Sequence, residues 1–173
     1  MLLTGTFFRA LDEKQRLGLP KPLREIIQRT GQTVFYLAPG TDGSLAFYTE
    51  SAFTRLADQL DQSSPNSQET RAFSRLFFAQ AQRVEVDGHG RLRIPVELVR
   101  LARLSKEVVL IGVRDHVEIW NRSEWEDYLG RQQARYDEIA EAALDRRERN
   151  RVGDSSRMTE EGAEAMERPA APR

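Results

Sequence analysis

Arg16 and Arg91 each stand four positions after an aspartate and four positions before a proline. The shared pattern, Asp-x-x-x-Arg-Leu-x-(Leu/Ile)-Pro, covers 12–20 and returns 75 positions later at 87–95. A guanidinium group can donate two parallel hydrogen bonds to a phosphate or to the edge of a guanine, and a nearby carboxylate can orient it. The spacing therefore indicates that the chain binds an anion at two equivalent turns.

Other basic residues lie on or beside the turns, and double-stranded DNA is the anionic partner that suits a repeated basic turn. The alternative is structural: Asp12 and Asp87 could pair with Arg16 and Arg91 only to hold each hairpin together. The surplus of basic residues favours binding, with the aspartates stabilising the turns. The predicted DNA contacts are Arg9, Lys14, Arg16, His89, Arg91 and Arg93.

The sequence carries little else that could do chemistry. It has no cysteine, and its two histidines, His89 and His116, lack the spacing of metal ligands. No Gly-x-x-x-x-Gly-Lys phosphate loop, no Gly-x-Gly-x-x-Gly motif and no recognisable nucleophile pattern is present. We expect no catalytic residue, no metal, no cofactor and no small-molecule substrate, so the chain is predicted not to be an enzyme.

Charge is sorted along a chain that is nearly neutral as a whole. The 173 residues carry a formal net charge of −1, yet 71–106 hold eight basic and three acidic residues. The next stretch, 107–129, holds two basic and six acidic residues. Such sorting can give a neutral protein a basic face. No apolar run reaches the roughly eighteen residues of a membrane span, no signal peptide is recognisable, and the lack of cysteine fits a reducing cytoplasm.

Short strands and helices must position the two turns. Apolar residues alternate at 17 and 19, and again at 84, 86, 92 and 94, which is the period of a half-buried strand. Each turn is therefore predicted at a strand-turn-strand tip, followed by a helix that begins at Pro20 or Pro95. Gly88 and Gly90 suit a tight second turn. Gln15 stands where Gly90 does, which leaves open a more strained or differently shaped first turn.

The repeat continues beyond the turns, because 45–48 and 117–120 are matching apolar strands, each followed by a helix start. The fold class is therefore predicted to be α+β, with two β-α-β units related by a pseudo-twofold axis. Helices at 53–60 and about 68–82 lie between the units. The helix residues predicted to face the core are Leu23, Ile26, Ile27, Phe53, Leu56, Ala57, Leu60, Phe73, Leu76, Phe77, Leu98, Leu101 and Ala102.

The predicted domain boundaries follow these elements. The first repeat covers 1–60, a connecting helical region 61–82 and the second repeat 83–129. A C-terminal helix at 123–144 carries a heptad-like apolar series that starts at Trp125. This helix could pack on a neighbouring molecule or be an ordinary amphipathic helix. The charged and Gly, Ser, Glu, Pro and Ala-rich stretch 145–173 is predicted to be a disordered tail.

These motifs resemble those of the MraZ family of bacterial transcriptional regulators, relatives of the AbrB and MazE swapped-hairpin DNA-binding proteins. The resemblance covers about 1–144 and rests on the paired Asp-x-x-x-Arg motifs, the repeated strand-helix order and the stretch from Glu118 to Trp125. The first motif of the family usually reads Asp-x-Lys-Gly-Arg; here Lys14 and Arg16 match it, whereas Gln15 replaces the glycine.

The resemblance implies one chain that imitates an AbrB-type dimer, with its two hairpins interleaved in a swapped-hairpin β-barrel. It also implies a homo-oligomeric ring that binds short direct repeats upstream of cell-division and cell-wall genes, including its own, in the cytoplasm and at the nucleoid. The competing hypothesis is an oligomeric protein-interaction scaffold, or an antitoxin-like module, without specific DNA binding.

Overall fold

The computed structural model describes residues 2–62 and 67–145, and these form a mixed α+β protein, as predicted. The strands are β1 (Thr6–Ala10), β2 (Arg16–Gly18), β3 (Val34–Pro39), β4 (Leu45–Thr49), β5 (Gln82–Glu85), β6 (Arg91–Arg93), β7 (Glu107–Val113) and β8 (His116–Asn121). The helices are α1 (Lys21–Thr30), α2 (Glu50–Gln62), α3 (Gln68–Gln80), α4 (Val96–Leu101) and α5 (Arg122–Gln133). None of the described helices is long and apolar enough to cross a membrane.

The strands form two antiparallel sheets in which the two repeats exchange partners. A six-stranded sheet has the order β1-β7-β8-β4-β3-β5, and β2 and β6 form a separate two-stranded sheet. The first strand of each repeat, β1 or β5, pairs with the third strand of the other repeat, β7 or β3. The strand after each turn, β2 or β6, likewise pairs with its counterpart in the other repeat.

The strand pairing does not form the closed barrel that the resemblance implied. The six-stranded sheet is open, with β1 and β5 at its edges. Across each turn the link is one isolated bridge, Leu11 to Leu17 in the first repeat and Val86 to Leu92 in the second. The reason is length: β2 and β6 have three residues each, which is too short to continue the bridge across each turn into a ladder with the large sheet.

The predicted alternation of apolar residues around the turns is confirmed. Leu17, Leu19, Leu92 and Ile94 are all buried, and they join residues of the large sheet in one core. At about 25 cal/mol for each Å² of apolar surface removed from water, such side chains are a major source of stability. One face of the β2–β6 sheet therefore packs on the core, and its other face is turned to solvent.

Two helix faces differ from the prediction. The exposed fractions of Phe73 and Leu76 are 45% and 65%, and only Phe77 of the three predicted α3 residues is buried. Leu101 is 45% exposed because α4 ends there after six residues, so that only Leu98 on it, and Ala102 just beyond, turn fully toward the core. The region between the repeats is thus more exposed than the apolar spacing indicated.

The chain divides into two compact units, Met1–Asp127 and Tyr128–Arg173. The helix predicted at 123–144 has an interruption: α5 ends at Gln133, a turn follows, and 136–145 are again helical. In the second unit the Arg135 N–H donates to the Gln132 carbonyl at 3.0 Å, which closes that turn. The predicted tail at 145–173 lies outside the described residues, except for Asp145.

Candidate nucleic-acid interface

The first turn is built around one carboxylate. Oδ1 of Asp12 accepts the backbone N–H groups of Lys14 and Arg16, both at 2.9 Å. The Gln15 N–H donates to the Asp12 carbonyl at 2.9 Å, and the Asp12 N–H donates to the Arg16 carbonyl at 3.1 Å. A short acidic side chain can satisfy the backbone of a tight turn in this way. Asp12 therefore accepts hydrogen bonds from two backbone groups of its own turn.

The second turn repeats this geometry. Oδ1 of Asp87 accepts the N–H groups of His89 and Arg91 at 2.9 Å, and the Gly90 N–H donates to the Asp87 carbonyl at 2.8 Å. Gly90 has φ +73° and Gln15 has φ +59°, so both adopt the left-handed conformation. Glutamine in the first turn therefore preserves the shape of the turn, although that conformation strains a residue with a side chain.

Each aspartate also orients the arginine that ends its turn. Nε of Arg16 lies 2.7 Å from Oδ2 of Asp12, and Nε of Arg91 lies 2.9 Å from Oδ2 of Asp87. The backbone N–H of Arg16 lowers the pKa of Asp12, with its guanidinium adding to the effect, and Arg91 acts alike on Asp87. Because Nε makes the ion pair, the outer nitrogens of both guanidinium groups remain available to another acceptor.

The β2 and β6 strands bring three arginines onto one solvent-facing surface, which we call the arginine ribbon (Arg16, Arg91 and Arg93). In the antiparallel register Arg16 lies opposite Arg93, and Arg91 lies opposite Gly18. Leu17 and Leu92 form the pair between them, and both are 0% exposed. Because side chains alternate along a strand, the arginines must all point away from the core.

Backbone hydrogen bonds fix the two turns relative to each other. The Leu19 N–H donates to the Gly90 carbonyl, and the Ile94 N–H donates to the Gln15 carbonyl, both at 2.9 Å. Each bond crosses from one repeat to the other, so the arginine ribbon and both turns form one surface. The major groove of B-DNA, about 12 Å wide, admits a two-stranded β-ribbon. Arginines on its outer face can reach base edges and phosphates there.

The structure brings five of the six predicted contacts together. Arg16, Arg91 and Arg93 lie on the ribbon, and Lys14 and His89 are exposed at the tips of the turns. Arg9 does not join them. It lies on edge strand β1, opposite Val108, and its Nη1 donates to the carbonyl of its neighbour Phe8 at 2.8 Å.

Sequence reasoning missed Arg24, which comes from α1 of the first repeat and lies against the second turn. A Cβ at Gly90 would collide with Cδ of Arg24, so the Arg24 side chain packs directly against this glycine. Both line a cavity of about 570 Å³ with Asp87 and His89. The sequence held one signal for Arg24: the equivalent position of the second repeat, 75 residues later, is Val99, so this arginine is not part of the repeated pattern.

Comparisons with known proteins agree with this architecture. A family model described as "MraZ protein, putative antitoxin-like" matches residues 77–147. A protein of Finegoldia magna named Transcriptional regulator MraZ is 36% identical over 144 residues, which cover 83% of this chain and 98% of that protein. Proteins of the same name from Pelotomaculum thermopropionicum and Mesoplasma florum are 38% and 37% identical, over 97% and 94% of their lengths and 83% and 82% of this chain. Identity at this level over almost the whole of each relative means that the chain belongs to the MraZ family.

Proposed function

We propose that the chain is a sequence-specific DNA-binding transcriptional regulator that reads DNA with the arginine ribbon. The observation that carries the proposal is the register in which Arg16, Arg91 and Arg93 share the single exposed face of β2 and β6. A β-ribbon is one of the elements with which proteins read DNA grooves, and arginine is a common reader of guanine. The name that the relatives carry, Transcriptional regulator MraZ, supports the same function.

Within this proposal the residues have different roles. Arg16 and Arg91 are held by Asp12 and Asp87, which suits reading of a base edge, because a fixed guanidinium loses less freedom on binding. Lys14 and His89 at the tips and Arg93 on the ribbon would contact phosphates, whereas Arg9 lies apart from them on edge strand β1. The cross-pairing of the repeats supports a swapped-hairpin arrangement in which one chain imitates a dimer.

The target and the assembly form a further part of the proposal. The DNA would be short direct repeats upstream of cell-division and cell-wall genes, including the chain's own gene, and the protein would act in the cytoplasm at the nucleoid. Tandem sites favour a homo-oligomeric ring, because linked contacts raise avidity by ~10²–10⁴-fold where the geometry permits. Leu129, Tyr136 and Ile139 are exposed apolar residues that such an assembly could use. Light scattering that gives the mass of a single chain at micromolar concentration would refute the ring.

A binding titration tests the DNA proposal. The purified protein is titrated by fluorescence anisotropy with its own upstream fragment and with random DNA of equal length, at several salt concentrations. We expect tighter binding to the upstream fragment and an affinity that falls steeply with salt, because phosphate contacts release counterions. Equal affinities at physiological salt would remove the claim of specificity.

A variant pair assigns the site. Arg16→Ala combined with Arg91→Ala removes both oriented guanidinium groups. Arg29→Ala with Arg100→Ala removes two exposed arginines that lie off the ribbon, on α1 and α4. We expect the first double variant to lose specific binding and the second to keep most of it. Wild-type binding by a folded first variant would mean that the turns are purely structural.

The second candidate is a protein-interaction module, which the exposed apolar residues Phe73, Leu76 and Phe78 on α3 favour. The "antitoxin-like" wording of the family model points in the same direction. The two functions separate in the same titration, because an interaction module would show little DNA affinity at any salt concentration.

A further inference from the structure

The cavity beside the second turn joins the two repeats. Its walls come from α1 and the start of β3 in the first repeat and from residues 86–90 in the second. The polar groups that line it include Arg24, Gln32 and His89. Its lining includes Gly90, the residue directly before Arg91 at the start of β6, so the cavity adjoins one end of the arginine ribbon.

Arg24 is the cation of α1 that lines this cavity, and Asp87, the carboxylate that also lines it, is paired with Arg91. Among the described residues no acidic group forms an ion pair with Arg24, and its Nε is buried without a hydrogen-bond acceptor. Oε1 of Gln32, on the same wall, is also buried without a donor. A buried polar group without a partner is costly, so a guanidinium held in this way favours an anionic ligand.

The second copy differs from the first at three positions that bear on Arg24, two in the turn and one in the helix that follows. His89 stands where the first turn has Lys14, so the second tip lacks the lysine. Gly90 stands where the first has Gln15, and a side chain at Gly90 would collide with Arg24. Val99 stands where the helix of the first repeat has Arg24. The second turn lacks both the acidic Glu13 and the basic Lys14 of the first, and Arg24 of the other repeat places a cation beside it.

We propose that Arg24 binds a phosphate group of the DNA backbone beside the second turn, and this inference rests on the function proposed above. A ribbon inserted in the major groove has a phosphate backbone along each side, and Arg24 lies beside the ribbon instead of on its face. Phosphate contacts position a protein on DNA and carry no base information themselves. Gly90 is then required for two reasons, the left-handed backbone and the space for the Arg24 stem.

The competing role for Arg24 is a structural wedge that keeps the second turn in place. Arg24→Met keeps a side chain of similar length against Gly90 and removes the charge, whereas Arg24→Lys keeps the charge. Arg24→Gln is a second neutral variant, to be used if the methionine variant unfolds more easily. Arg29→Met is the matched control, because Arg29 is an exposed arginine of the same helix.

The experiment compares the salt dependence of binding to the upstream fragment. Loss of one phosphate contact should lower the slope of log K against log salt by about 0.9, with the preference over random DNA unchanged. We expect this change in Arg24→Met and Arg24→Gln, and wild-type slopes in Arg24→Lys and Arg29→Met. A fragment series with single uncharged methylphosphonate linkages should contain one position that weakens wild-type binding but not binding by Arg24→Met.

Each other outcome overturns the inference. A wild-type slope in the neutral variants, while the wild-type protein still prefers its own fragment, removes the Arg24 contact and leaves the proposed function intact. Weaker binding by Arg24→Met with an unchanged slope would identify a wedge. If wild-type protein and Arg29→Met show neither preference nor salt dependence, the proposed function and the inference both fail.

Discussion

Arg16 and Arg93 lie directly opposite each other across the β2–β6 ribbon, one from each repeat, with the buried pair Leu17 and Leu92 beside them. Like charges in directly opposed positions of a sheet repel. Asp12 pairs with Arg16, whereas Arg93 is exposed and forms no ion pair among the described residues. The ribbon therefore keeps a repulsive pair on its surface, and an anion such as DNA would relieve this repulsion.

The first prediction is that Arg93→Gln stabilises the free protein and weakens DNA binding. Removing one of two opposed positive charges should raise the free energy of unfolding by ~0.2–1 kcal/mol. The same change should weaken binding to all sequences, if Arg93 contacts phosphate. Urea denaturation and anisotropy titration measure the two effects. Arg100→Gln, at an exposed arginine of α4, is the control and should change the free energy of unfolding and the DNA affinity much less. An Arg93→Gln variant that is less stable than the wild type would contradict the argument.

The second prediction concerns the two left-handed turn positions. Gln15→Gly should raise the free energy of unfolding. The left-handed conformation costs a residue with a side chain roughly 1–2 kcal/mol, and the greater conformational entropy that glycine loses on folding offsets only about 0.5–1 kcal/mol of this gain. Gly90→Ala should lower it, since Gly90 has φ +73° and its new Cβ would meet Arg24. Gly88→Ala is the control, because open space surrounds that position. Equal effects of Gly88→Ala and Gly90→Ala in thermal unfolding would contradict this account.

The turns could be predicted from the sequence because their interactions are local. Asp12 and Asp87 bind N–H groups two and four positions away, so the motif contains nearly all that it needs. The burial of Leu17 and Leu92 followed from alternation in the same way. Phe73, Leu76 and Leu101 were placed in the core because helical spacing shows which residues share a face. Spacing does not show whether another element covers that face.

The arginine ribbon and the Arg24 contact could not be predicted, because they depend on pairing between distant segments. The opposition of Arg16 to Arg93 needs the register of β2 on β6, which no local pattern specifies. Arg24 looked like one of several charges on an amphipathic helix. Only its contact with Gly90, which belongs to the other repeat, distinguishes it.

The third prediction concerns acid stability. The backbone N–H of Arg16 lowers the pKa of Asp12 below its ordinary value of 3.8, and that of Arg91 lowers the pKa of Asp87 likewise. A lowered carboxyl pKa contributes stability above the unfolded value, and this is lost as pH falls through the folded pKa. Asp12→Asn with Asp87→Asn should therefore lose less stability than wild type between about pH 5 and pH 3 in urea denaturation. Asp58→Asn, at an exposed residue of α2, is the control. If the double variant loses as much stability on acidification as the wild type, the two turn aspartates are not the cause of the loss.

The fourth prediction is that His116 makes the protein less stable as pH rises above about 6.5. The His116 ring stacks on Tyr48 with 4.9 Å between centroids, its Nδ1 lies 3.0 Å from Oδ1 of Asp115, and its Nε2 lies 3.7 Å from Oε1 of Glu118. Burial lowers the pKa of His116, but the nearby carboxylates of Glu118 and Asp115 outweigh this and raise it above 6.5. A histidine whose pKa is raised by folding contributes stability that is complete below the unfolded value and is lost through the folded one. The thermal midpoint should therefore decrease as the pH is raised above about 6.5, and His116→Asn should flatten this dependence. His89→Asn tests for a general effect of losing a histidine. An unchanged pH dependence in His116→Asn would show that this cluster does not couple protonation to folding.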